Sequence, residues 1–168
     1  WAWERTLGKR MSDTASHARE DRRAKGGMSP KEARQARECA LRALFQLDLA
    51  GGEPEEALRF AESEDVAGEL GAKSMEYAER IVKGVVAAKD AIDSTIARIS
   101  KDWSLDRMAY TDRNIMRIAV FEMTEVEGMS FAVAINEAVE LGKTFGTEES
   151  PRFINGIVGR LAEELKTV

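Results

Sequence analysis

Apolar side chains in this chain recur every three or four residues, not every second one, and that period predicts helices. Ala36, Ala40, Leu44 and Leu47, widened by Leu41 and Phe45, predict a first helix over about Lys31–Ala50. Gly51-Gly52 ends it. Ala57, Leu58 and Ala61 predict a short helix over Pro54–Ser63. After a loop with Gly68 and Gly71 comes a long periodic segment over Lys73–Ser100. Ala78, Ile81, Val82, Val85 and Val86 mark its first half and Ile92, Ile96 and Ile99 its second, with a bend expected near Ala87–Lys89. Gly84 interrupts the first stripe at a cost of about 1 kcal/mol of helix propensity, and the expected return is a close helix neighbour. Trp103 and Leu105 anchor a connection to a helix over Asp106–Glu125 with Met108, Ile115, Ile118, Ala119, Phe121 and Met123 apolar. Val133, Ile135, Val139 and Leu141 predict a helix over Ala132–Lys143, broken at Thr144-Phe145-Gly146-Thr147. Ser150-Pro151 reads as an N-cap and first-turn pair opening a last helix to about Lys166. No stretch alternates as a half-buried strand would. The pattern predicts an all-α globule of about six or seven helices.

Residues 1–29 are polar, poor in β-branched residues and contain Gly26-Gly27, so a disordered or loosely attached extension is expected ahead of a helical domain over 30–168. The chain opens on Trp1, and Met11 and Met28 are candidate starts. With 43% apolar residues in a chain of 168, a core can form without staples. The single cysteine, Cys39, excludes an intrachain disulfide and is expected to be a small buried thiol. His17 is the sole histidine, which removes the usual parts of zinc sites and of His-based acid–base catalysis. Neither Gly26-Gly27 nor Gly51-Gly52 is followed by the Gly-Lys-Ser/Thr of a phosphate loop. The expectation is a protein that is not an enzyme and carries no metal or organic cofactor. No apolar run approaches the ~20 residues that span a bilayer, and Trp1–Gly27 lacks a signal's apolar stretch, so a cytoplasmic protein away from membranes is expected.

A net charge of −5 argues against nucleic acid until its distribution is read. Residues 1–42 hold 11 Lys/Arg against 6 Asp/Glu, and residues 43–168 hold 14 against 24. An acidic body with a basic end can still bind RNA locally, because screening confines the field to roughly 8 Å at physiological salt.

Three segments carry candidate chemistry. The first helix begins with Lys31, Arg34, Arg37 and Arg42, a spacing that can hold phosphates through forked hydrogen bonds, although Arg-x-x-Arg on a helix also serves solubility alone. Asp112 to Met123 place Arg117 and Glu122 beside an apolar stripe, where pairing of one of them with a neighbouring helix is expected. The third segment runs from Val133 to Gly146, including Ala134-Ile135-Asn136-Glu137-Ala138, and continues with Ser150-Pro151-Arg152-Phe153-Ile154-Asn155-Gly156. A Phe-Gly turn between helices, flanked by Lys143 and Arg152 and facing a helix start, suits an unpaired base and its phosphates. The alternative is that Phe145 and Phe153 are core residues.

Taken in this order, the segments over about residues 31–165 resemble the NusB family. The resemblance implies an all-α fold of about seven helices in two small packed helical subdomains. It implies a transcription antitermination factor that binds single-stranded boxA-type RNA of nascent rRNA transcripts together with NusE, the small-subunit ribosomal protein, and helps build a termination-resistant RNA polymerase complex. It marks Arg34, Arg37, Arg42, Phe145, Gly146, Thr147, Arg152, Phe153 and Asn155 for RNA, joined by the neighbouring cations Lys31 and Lys143, and Phe45 and Asp112 for NusE. Ala33 and Gln35 stand where the family carries a richer arginine run, and Lys31, Arg22, Arg23 and Lys25 are candidates to compensate. A homodimer is a further arrangement the resemblance leaves open. Two other readings stand beside it: a helical protein-interaction module, and the detached N-terminal RNA-binding domain of an rRNA cytosine methyltransferase.

Overall fold

The computed structural model describes residues 27–65, 68, 70–101 and 103–167; apart from Gly27–Ser29, the expected N-terminal extension lies outside them. The described residues form seven α-helices and no strand: α1 (Pro30–Ala50), α2 (Pro54–Ser63), α3 (Ala72–Ala87), α4 (Lys89–Ser100), α5 (Tyr110–Glu125), α6 (Phe131–Phe145) and α7 (Ser150–Lys166). No helix among them is long and apolar enough to cross a membrane.

Local chemistry sets the helix ends. Ser29 caps α1 reciprocally: its Oγ accepts the Glu32 N–H at 3.2 Å, and the Glu32 carboxylate accepts the Ser29 N–H at 2.7 Å. Gly51, at φ 71°, ends the helix in a conformation that a side chain would strain. The long third segment divides at Ala88, where a bend was expected, into α3 and α4. The helix expected from Asp106 begins instead at Tyr110, because Leu105–Arg107 close a 3-10 turn of their own. α6 runs two residues past the expected Lys143 and carries Phe145 on its last turn. Glu149, not Ser150, is the N-cap of α7; Ser150 is its first helical residue, is buried, and accepts the Thr147 N–H at 2.8 Å.

α1 packs on α2 and α3, α6 packs on α7, and α5 runs between these halves in contact with α1, α3, α4, α6 and α7. Ile115, Met116 and Ile118 of α5 are fully buried, together with Ile81, Ile96 and Ile154 from the helices around it. α3 approaches α5 at Gly84, where a Cβ would lie 2.1 Å from the Phe121 ring. Cys39 is buried as expected, and burial pushes its thiol up to about 11.

The central helix also carries charge inward. Arg117, 3% exposed, donates to both Asp93 oxygens at 2.6 and 2.8 Å and to Asp48 at 2.7 Å. Asp48 also accepts from Arg113 at 2.8 Å and Asn114 at 3.0 Å, so α1, α4 and α5 meet in one network. Burial opposes ionisation of Asp48 and Asp93, but the arginines outweigh it and hold both carboxyls below the usual range.

Candidate nucleic-acid interface

The basic start of α1 lies beside α6, and arginines bridge the two helices at two points. Arg34 donates through Nε to Glu137 Oε2 at 3.0 Å and through Nη2 to Oε1 at 2.8 Å, a forked pair. Two turns further along α1, the Arg42 guanidinium lies over the Phe145 ring, 5.6 Å from its centroid. Glu137 and Phe145 are both on α6 and carry the same sequence separation as their partners, so the two helices run in the same direction, bridged by long side chains rather than packed backbone against backbone.

Arg37 has a different environment from Arg34. It is 3% exposed and donates to Glu122 Oε1 at 2.8 Å, with Glu137 Oε2 at 3.6 Å. Tyr77 closes this pair by donating its hydroxyl to the same Glu122 oxygen at 2.5 Å, while the Arg37 guanidinium stands 5.9 Å from the Tyr77 ring centroid. Burial raises the Glu122 carboxyl despite the opposing pull of Arg37, and burial together with Glu122 raises the Tyr77 phenol. The structure thus places Arg37, expected at a phosphate, in a buried ion pair with Glu122. Glu122, at an apolar-stripe position, and Arg37, between Ala36 and Ala40, are each charges inside a buried pattern, and that was the available signal. Glu137, which holds Arg34 and approaches Arg37, lies in the Ala134–Ala138 stretch of the third segment, but its role as an arginine partner was not legible there because the arginines come from a distant helix.

The turn after α6 is held by close approach. A Cβ on Gly146 would meet Ser150 Cβ and Oγ at 2.4 Å and the Gly142 carbonyl at 2.7 Å, so glycine is required by space rather than by a positive φ. A Cβ on Gly142 would crowd the Ile154 side chain at 2.9 Å, with Pro151 Cα in ordinary contact at 3.5 Å. These contacts set the first turn of α7, with Arg152 exposed and Phe153 half-buried against the core, beside the last turn of α6. Thr147, Asn155 and Lys31 are exposed. Lys143 is exposed and pairs with Glu140 at 2.7 Å on its own helix.

Phe45, 37% exposed, packs edge-on to Tyr110 with ring centroids 6.0 Å apart. It lines an open depression of about 500 Å³ with Leu41, Arg42, Phe60, Thr111 and Phe145. The sequence-predicted RNA residues Arg42 and Phe145 thus share one concavity with the sequence-predicted partner residue Phe45. Asp112 does not join them as an open contact. It is 9% exposed, and its Oδ1 finds no hydrogen-bond partner among the described residues. Asp112, expected to face the partner, is a largely buried carboxylate at the start of α5.

No cluster of metal-ligating side chains occurs among the described residues. Fold and site together define an all-helical, two-halved protein with cations and rings along the edge where α1 meets α6. The NusB family model matches residues 34–163, and the chain belongs to the NusB family. It is 52% identical over 130 residues to the transcription antitermination protein NusB of Pelotomaculum thermopropionicum, covering 77% of this chain and 88% of that one. Among solved structures, T. maritima NusB superposes with a TM-score of 0.71 at 33% identity, over 79% of this chain and 91% of that one. A crystal structure of the antitermination factors NusB and NusE in complex with dsRNA contains a chain with a TM-score of 0.72 at 26% identity, over 81% of this chain and 99% of that one.

Proposed function

We propose that the protein is a transcription antitermination factor that binds boxA-type single-stranded RNA of nascent rRNA transcripts together with NusE and helps build a termination-resistant RNA polymerase complex. Its role is binding rather than catalysis, in the cytoplasm where transcription occurs. The observation that carries this reading is the stacking of Arg42 on Phe145 at the rim of a depression that also contains Phe45. A cation and ring brought together from two distant segments offer a base a stacking face and a phosphate a partner. Lys31, Arg34, Lys143, Gly146, Thr147, Arg152, Phe153 and Asn155 extend the RNA surface from either side. Phe45 and the neighbouring rings Phe60 and Tyr110, both exposed, form the NusE side. Kinship with proteins named NusB, and with a NusB–NusE complex holding RNA, supports the same reading and does not favour the methyltransferase-domain alternative.

The test is fluorescence anisotropy with boxA-type single-stranded RNA, with and without NusE, using an RNA duplex as comparison. Arg42→Ala and Phe145→Ala should each weaken single-strand binding by about 5- to 100-fold, the range expected for a lost stacking contact. Affinity should fall with added salt and rise with NusE. Equal binding by the parent protein and both variants would remove the site.

A further inference from the structure

Resting on the RNA-binding role proposed above, we infer that Glu137 is an intramolecular stand-in for an RNA phosphate: it closes the Arg34 fork in the free protein and must release it when RNA binds. The geometry matches what a phosphate would offer. Two carboxylate oxygens take Nε and Nη2 of Arg34 at 3.0 and 2.8 Å, the parallel arrangement by which guanidinium groups hold carboxylates and phosphates alike. The Glu137 hydrogen bond raises Arg34 above its ordinary value, and Glu140 and Glu38 add to the field holding its charge.

The exposures decide which arginine can leave. The Arg34 side chain is 44% exposed and sits on the rim, so water and phosphate can reach it. Arg37 is 4% exposed and fixed below by Glu122 and Tyr77, so it stays. Because Arg37 also lies 3.6 Å from Glu137, the carboxylate keeps a cation after Arg34 swings to a phosphate. Glu137 itself, 14% exposed, would otherwise be left largely buried and unpaired. Arg34 and Arg37 against Glu122 and Glu137 make this edge formally neutral in the free protein. These four groups cancel, so a phosphate contact at Arg34 depends on opening the fork, while Arg42 supplies attraction without it. Glu137 sets affinity, and it disfavours anionic ligands too poor in contacts to displace it.

The experiment compares the full chain with Glu137→Gln, using boxA-type single-stranded RNA at several salt concentrations. Glutamine keeps the shape and removes the charge. Expected is tighter binding by about two- to fivefold, the scale of an exposed ion pair. The slope of log K against log salt should steepen by a fraction of the ~0.7 that one single-strand charge contributes, because Arg37, shared with Glu122, compensates the released carboxylate only in part and a solution cation supplies the rest in the parent protein. Arg34→Ala should cost more affinity in the Glu137→Gln background than alone. Unchanged or weaker binding with an unchanged slope would overturn the inference while leaving the RNA-binding role standing; failure of the parent protein to bind any of the RNAs would bring down that role itself. A second readout does not depend on the variant folding. The Arg34 Nε–H resonance of the parent protein should shift on RNA titration, and a resonance that stays fixed at saturating RNA would show that the fork does not open.

Discussion

Arg34 and Arg37 are three positions apart, less than one turn of helix, and burial makes their roles different. Arg37 compensates a carboxylate that is almost wholly removed from water. Removing one partner of a buried pair leaves an uncompensated charge, so Arg37→Ala is expected to cost about 3–5 kcal/mol of stability. Arg34 forms a rim pair of a kind worth about 0–1 kcal/mol. Arg34→Ala should therefore melt within ~1 kcal/mol of the parent while weakening RNA binding. Urea unfolding of the two variants checks this. Equal losses of stability would contradict a division between a core arginine and a rim arginine. Both positions were legible in the sequence as helix-start arginines. Their separation was not, because Glu122 and Glu137 come from helices far along the chain.

Between α3 and α5, contact depends on one missing side chain. The Phe121 ring occupies the space that a Cβ at Gly84 would need, and Phe121 is itself 5% exposed with little room to move. Alanine gains about 1 kcal/mol in helix propensity. Overpacking of a dense core costs typically about 1–3 kcal/mol and should outweigh that gain. Gly84→Ala is expected to be destabilised in urea, and adding Phe121→Leu should recover part of the loss, since neighbouring substitutions couple. A stabilised single variant would mean that the helices separate at little cost. The sequence pointed to a close approach at Gly84 but could not name the neighbour. Element boundaries were legible where a local cap sets them, as at Ser29 and Gly51. At Leu105–Arg107 and at Phe145 they were not, because turn geometry and tertiary contact overrode the apolar period.

Over the whole molecule, the Asp48–Arg117–Asp93 network ties α1 and α4 to the central α5 and makes stability depend on acidity. Both carboxyls are held below their ordinary value in the folded state. Their contribution is therefore fully present above the unfolded aspartate value of about 3.9, and is lost as pH falls through the lowered folded values. Asp93→Asn should be less stable than the parent at neutral pH and should lose less on acidification below about pH 4. Thermal melts across that range test this, and parallel pH profiles for the two proteins would sink it. The raised Glu122 carboxyl acts in the opposite direction: ionising it weighs against folding as pH rises through its unfolded value.

The amino-acid order alone determined the helical class, the number of main elements, the restriction to a single histidine and a single cysteine, and the Phe-Gly and arginine segments, because each depends on composition or on a period within one element. Only the tertiary structure decided which charges face water. Arg42 met Phe145, Arg37 was drawn into the core and Asp112 was covered through packing between helices distant in sequence. Burial, and with it the free energy of every charge on this edge, is a property of that packing and not of any one segment.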